Sequence, residues 1–251
     1  MNAPAWLLVF ARMGGLLGMN PLLARRNVPV MVRTGLTFLL TALIVPGIAV
    51  SAMPASDSLS LALGILRELF VGFACGFVFQ IYYYMLFFVG DLMDTGFGLS
   101  MAKVFDAGTN IQMSVSSNWL NIILLLYIFA TDSHLLLIRI FSSSFKILPV
   151  GSVTFSQEAA RFFLELFVSV FSMALRLALP FMAAEFVLEL GLGILMKLIP
   201  QIHVFVINIQ FKLLMGLVLL LAFAAPIASF IDNYMRAMLE NLQHAFSALG
   251  P

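Results

Sequence analysis

Apolar residues run along this chain in long unbroken blocks. Three blocks reach the roughly 20 residues a helix needs to cross the hydrocarbon of a bilayer. They are residues 34–56, uncharged throughout though Pro46 should bend or end the helix; residues 69–90, which include the aromatic cluster Tyr82, Tyr83 and Tyr84; and residues 205–231, broken only by Lys212. Three weaker blocks carry charges: 5–23 with Arg12, 119–141 with Asp132, His134 and Arg139, and 162–197 with Glu165, Arg176, Glu185 and Glu189. The pattern predicts about six helical segments and, since open sheet edges are excluded from lipid, an all-α polytopic membrane fold.

Between these blocks lie two polar stretches. Residues 91–118 contain Gly96, Gly98, Gly108, Thr109, Asn110, Ser114, Ser116, Ser117 and Asn118, which is turn and loop chemistry. A long irregular stretch is expected there, and such stretches are uncommon and often functional. Within it Ile111, Met113 and Val115 alternate with polar neighbours and offer a small apolar face, with methionine supplying an adaptable surface. Residues 142–157 read as an ordinary connection. Gly72 and Gly76, and again Gly14 and Gly18, have the four-residue spacing that lets membrane helices approach closely. Gly191, Gly193 and Pro200 punctuate the apolar region after residue 181 and predict the turn of an antiparallel helical hairpin.

Composition explains where the apolar surface goes. Hydrophobic residues make up 62% of the chain and charged ones 10%, against roughly 25% charged in a soluble domain, and the mean hydropathy is +1.07. Lipid or apolar partner subunits must cover such a surface. Thirteen basic and twelve acidic residues are scattered, so no basic face for nucleic acid exists. The single cysteine, Cys75, reads as a small packing residue. The N-terminus lacks the basic start of a signal peptide and reads as a retained first helix.

Charges within the apolar blocks need partners, because one at the bilayer centre costs about 2.5–3.5 kcal/mol on insertion scales. Glu185 and Glu189, four apart, share one helical stripe. With Arg176 and Lys212 they are expected to pair with neighbouring subunits, with proton relay as the sharper alternative. No phosphate-binding loop, zinc-protease, serine-nucleophile or Cys-x-x-Cys motif occurs, so no enzyme and no cofactor is expected. A free-standing secondary transporter is the rival reading from hydropathy, although no inverted repeat is visible.

Four segments in order carry a resemblance. RELFVGFACGFVFQ (67–80), GLSMAKVFD (98–106), TDSHLLLIRIFSSSFKILPVG (131–151) and PQIHVFVINIQFKLLMG (200–216) are similar to motifs of the FliR family of type III secretion export-gate proteins, and PLLARRNVPVMVRTGL (21–36) is compatible with it. His203 and Gln210 depart from the family's usual Asn and Pro, which puts a kink before Lys212 in doubt. The match is closer to flagellar members than to injectisome ones.

The resemblance implies a non-enzymatic, pore-forming subunit in a hetero-oligomeric helical assembly with FliP and FliQ, wrapped by FlhB and joined by FlhA, which passes unfolded flagellar substrates across the bacterial inner membrane. It implies a FliP-like part over about 1–175 and a FliQ-like hairpin over about 176–240. It also implies a plug loop, matched here by Phe105, Asp106, Gly108, Asn110, Ile111, Met113, Val115 and Asn118. Glu68, Arg176, Glu185, Glu189 and Lys212 are the expected inter-subunit charge contacts, Gly72 and Gly76 the packing pair.

Overall fold

The computed structural model describes residues 3–21, 28–48, 58–102, 104–106, 111–153, 156–199 and 204–250. Eight helices carry them: α1 (Ala3–Met19), α2 (Val30–Ile44), α3 (Ser58–Gly96), α4 (Val115–Ala130), α5 (Ser133–Ile147), α6 (Gln157–Leu198), α7 (Val204–Ala222) and α8 (Ala224–Ala248). The exception to an all-α fold is a short antiparallel ladder, β1 (Val104–Asp106) with β2 (Ile111–Met113), pairing Val104 with Met113 and Asp106 with Ile111. Among the described residues, three helices are long and apolar enough to cross a membrane, and up to five spans result if each bent pair counts as one.

Each boundary has a local cause. Pro46 sits in a 3₁₀ turn, Val45–Gly47, that ends α2, as its fixed φ and missing amide require. The block at 119–141 is two helices, α4 and α5, bent by 74°. Asp132 lies between them in the left-handed conformation (φ 54°), one that aspartate tolerates better than most residues. The block at 205–231 is also broken, with α7 and α8 bent by 62°. Pro226 explains it, because a proline ring collides with the carbonyl four residues earlier, and residue 222 is the last of α7. α7 runs straight through Gln210.

The turn expected at Gly191, Gly193 and Pro200 does not fall at the two glycines. Both glycines are helical within α6, which continues to Leu198, and Pro200 lies outside the described residues. A glycine costs a helix only about 1 kcal/mol, too little to end one that buries an apolar face. Lys212 of α7 meets Glu185 and Glu189 of α6, so the two helices do pair antiparallel around the break.

The chain divides into two compact units. One comprises residues 1–82, 131–168 and 236–251, the other 83–130 and 169–235. In the first, α1 and α3 pack backbone to backbone. A methyl group built on Gly15 would lie 2.6 Å from the Leu69 carbonyl, and one on Gly76 2.6 Å from Met19 Cβ; Gly72 abuts the Arg12 carbonyl. The α1 glycine that meets Gly72 is thus Gly15, whereas Gly76 meets Met19. Gly14 only touches Thr37, and Gly18 has open space around it. Cys75 is fully buried there, as are Val9, Met13, Val71 and Val78. In the second unit Phe97 is buried, with its ring 5.9 Å from that of Phe181 and against Gly216, and Tyr127 of α4 donates to Asp232 of α8.

Candidate functional site: a hairpin held at its base

Three polar arrangements stand out, and the first lies in the first unit. Arg12 and Glu68 are both fully buried, and Arg12 Nε donates to Glu68 Oε2 at 2.6 Å. Arg12 Nη1 donates to the carbonyl of Leu148 (2.8 Å), just past the end of α5, and to that of Ser144 (3.3 Å), which also accepts from Leu148 N. The other Glu68 oxygen accepts from Gly151 N at 2.8 Å, and the guanidinium lies 4.4 Å from the Phe145 ring centroid. Glu68, expected at a subunit interface, therefore has both oxygens engaged by its own chain. Two of the quoted motifs, RELF and ILPVG, are the two halves of this one clasp. Arg12 as its third member went unforeseen, although an arginine inside one apolar block and a glutamate at the edge of another were a readable signal.

The second arrangement closes the C-terminal side of the ladder. After β2 the chain enters α4, whose first free amides need acceptors. Ser116 N donates to Asp94 Oδ1 and Oδ2 at 3.1 and 3.3 Å, and Asp94 is fully buried at a helix N-terminus, where a negative charge is favoured. Ser114 Oγ accepts from Ser117 N and bonds the Ser117 hydroxyl, which reaches the Phe87 carbonyl at 2.8 Å. Gly90 of α3 leaves no room for a side chain against Ser117. The serines read as loop residues are thus a latch fastening α4 to α3.

The third arrangement flanks the N-terminal side. Gly96 ends α3 against the Glu185 carboxylate, where a Cβ would sit 2.6 Å from Oε2, and Gly98 (φ 71°) turns the chain beside Lys212 Cδ. Lys212 Nζ lies 2.6 Å from Glu189 Oε1 and 3.4 Å from Glu185 Oε1. Three of the four charges expected to pair with neighbouring subunits, Glu185, Glu189 and Lys212, therefore pair with each other, with the Glu189 side chain still 52% exposed. Arg176 stands apart, exposed on α6.

Of the expected plug residues, Phe105 and Asp106 lie in β1, and Ile111 and Met113 in β2. Val115 and Asn118 are exposed in the first turns of α4, and Gly108 and Asn110 fall outside the described residues. The stretch is a paired hairpin, not an irregular loop. The alternation of Ile111 and Met113 was the strand signal, since period two is a strand's repeat, while Val115 begins α4.

A bundle of long apolar helices, interrupted by one hairpin braced at both ends, defines a multi-pass helical membrane protein. The model for Bacterial export proteins, family 1, matches residues 3–238, so the chain belongs to that family, in which the FliR proteins fall. It is 28% identical over 249 residues to the flagellar biosynthetic protein FliR of Escherichia coli (strain K12), covering 99% of this chain and 94% of the relative. It is 26% identical over 254 residues to FliR of Bacillus subtilis (strain 168), covering 98% and 96%. Yop proteins translocation protein T of Yersinia pestis is 26% identical over 213 residues, covering 84% and 82%.

Proposed function

We propose that this chain is a structural, pore-forming subunit of the flagellar type III export gate in the bacterial inner membrane. It assembles with FliP and FliQ, near FlhB and FlhA, to pass unfolded flagellar substrates, and the segment from Phe105 to Asn118 is the plug of the conduit. Residues 1–175 serve as the FliP-like part and 176–240 as the FliQ-like hairpin. The observation that carries the reading is the braced hairpin. A plug must be able to leave the conduit without coming away from the wall, and here a short ladder is tethered between a left-handed glycine at residue 98 and the Asp94–Ser116 latch. The two rungs at its ends hold little energy, since a net hydrogen bond contributes about 0.5–1.5 kcal/mol.

Deleting residues 108–114 tests this. Cells with the variant are expected to leak ions and small molecules at rest while the chain still accumulates in the membrane; unchanged membrane conductance would sink the plug. The likeness to Yop proteins translocation protein T makes an injectisome role the second reading. Swimming restored to a strain lacking its own FliR favours the flagellar role, and secretion restored only to an injectisome strain favours the other.

A further inference from the structure

Arg176 is the only charged residue between Glu165 and Glu185 of α6. The run it interrupts, residues 166–184, measures roughly 28 Å at 1.5 Å per residue, the thickness of the hydrocarbon. Its guanidinium therefore sits near mid-depth, out of reach of the snorkelling that relieves arginines close to helix ends. Arg12, Asp94 and Lys212, also within apolar elements, are each answered by a group of the same chain. Arg176 is exposed and, among the described residues, makes no hydrogen bond or ion pair.

Its surroundings fit another helix better than lipid or water. At 100° per residue, Ser169, Ser172 and Ala183 lie on the face of Arg176, none of them buried, and small residues there let a second backbone come close. Leu179, 55% exposed, gives the same face an apolar edge. Pro180 has no amide to offer the Arg176 carbonyl, so the ordinary helical bond to that acceptor is missing beside the cation.

Building on the assembly reading above, we infer that this face of α6 docks an apolar helix of another chain that carries an aspartate or glutamate at the depth of Arg176. The partner also bears small or hydroxyl side chains, the latter able to donate to the freed carbonyl. A carboxylate there forms the bidentate pair that guanidinium geometry favours.

The test uses the full-length chain in its native membrane, isolated in mild detergent with its partners. Arg176→Glu is expected to lower the yield of intact complex at least about tenfold, the scale of stranding one member of a buried charge pair. The melting temperature of the chain itself should hold, because Arg176 is exposed and makes no hydrogen bond or ion pair among the described residues, and Arg176→Lys should retain much of the assembly. A suppressor of Arg176→Glu that changes an acidic residue to a basic one in a helix of a different chain would support the inference and identify that helix. Three results would overturn it. One is an undiminished complex with Arg176→Glu, and another is a compensating change that maps to a second copy of this chain. The third is rapid labelling of Arg176→Cys, in a Cys75→Ala background, by a membrane-impermeant maleimide in the assembled complex, which would place Arg176 in a water-filled passage. Conductance of the residue 108–114 deletion does not depend on Arg176, so the plug and this interface fail separately. A wild-type chain purified with no partner would overturn the assembly reading itself.

Discussion

The Arg12–Glu68 clasp shows what a charge inside an apolar bundle requires. A buried pair gains stability only when geometry and further hydrogen bonds repay the lost hydration, and here two carbonyls, one amide and one aromatic ring support it, while Arg12 Nη2 has no hydrogen-bond partner among the described residues. Removing one partner strands the other, so Glu68→Gln or Arg12→Met is expected to destabilise the chain by about 3–5 kcal/mol. The measurement is a fall in melting temperature and in steady-state level of the detergent-solubilised protein. The double variant Arg12→Met, Glu68→Leu should regain much of the loss; equal damage in single and double variants would mean the charges are not coupled. At the latch, Asp94→Ala leaves Ser116 N without its acceptor and should cost about 1–3 kcal/mol, the scale of an unsatisfied buried group. If the latch holds the plug in place, the same variant raises resting conductance, and a silent Asp94→Ala would show the hairpin to be fastened elsewhere.

At the scale of elements, α1 and α3 meet through glycines whose lack of a side chain sets their separation. Gly72→Val should push the helices apart and cost about 1–3 kcal/mol or more, as overpacking does, whereas Gly18→Ala should be tolerated because nothing lies within 4 Å of the added carbon. Comparable melting temperatures for the two variants would contradict this packing. The sequence let these helices be read because long apolar blocks have few structural solutions. It also showed Gly72 and Gly76 as one side of a contact, but among Gly14, Gly15 and Gly18 only the fold could say which one faces them. The breaks at Asp132 and Pro226 were harder. A left-handed aspartate leaves no hydropathy signature, and Pro226 lay inside a block whose apolar average outweighed it. Gly191 and Gly193 misled in the other direction, because a helix tolerates glycine wherever packing continues. The latch serines looked like loop chemistry since the residues that begin and cap helices are the residues that make turns.

For the whole molecule, the charges on α6 and α7 have two duties. Lys212 braces Glu185 and Glu189 within the chain, and the half-exposed Glu189 still faces outward. Glu189→Gln should leave Lys212 bonded to Glu185 and, if its role is assembly, reduce the copurifying subunits. An intact complex with lost proton-driven export would favour the relay. The family could be read from four motifs because each has a structural duty: two form the clasp, one leads into the hairpin, and the last carries Lys212. The pairing partners of the charges could not be read, because sequence separation does not show which helices become neighbours.

The clasp also has a calendar. Arg12 is made early, but the carbonyl of Leu148 that it bonds is 136 residues further along. At about 5–20 residues per second, translation leaves that arginine incomplete for roughly 7 to 27 seconds. The unit that holds the clasp also draws on residues 236–251, which are made later still. The nascent α1 must therefore be sheltered, by lipid headgroups or by the insertion machinery, until Leu148 has been made. A ribosome stalled before Leu148 would hold a membrane protein whose first helix has nowhere to finish its bonds.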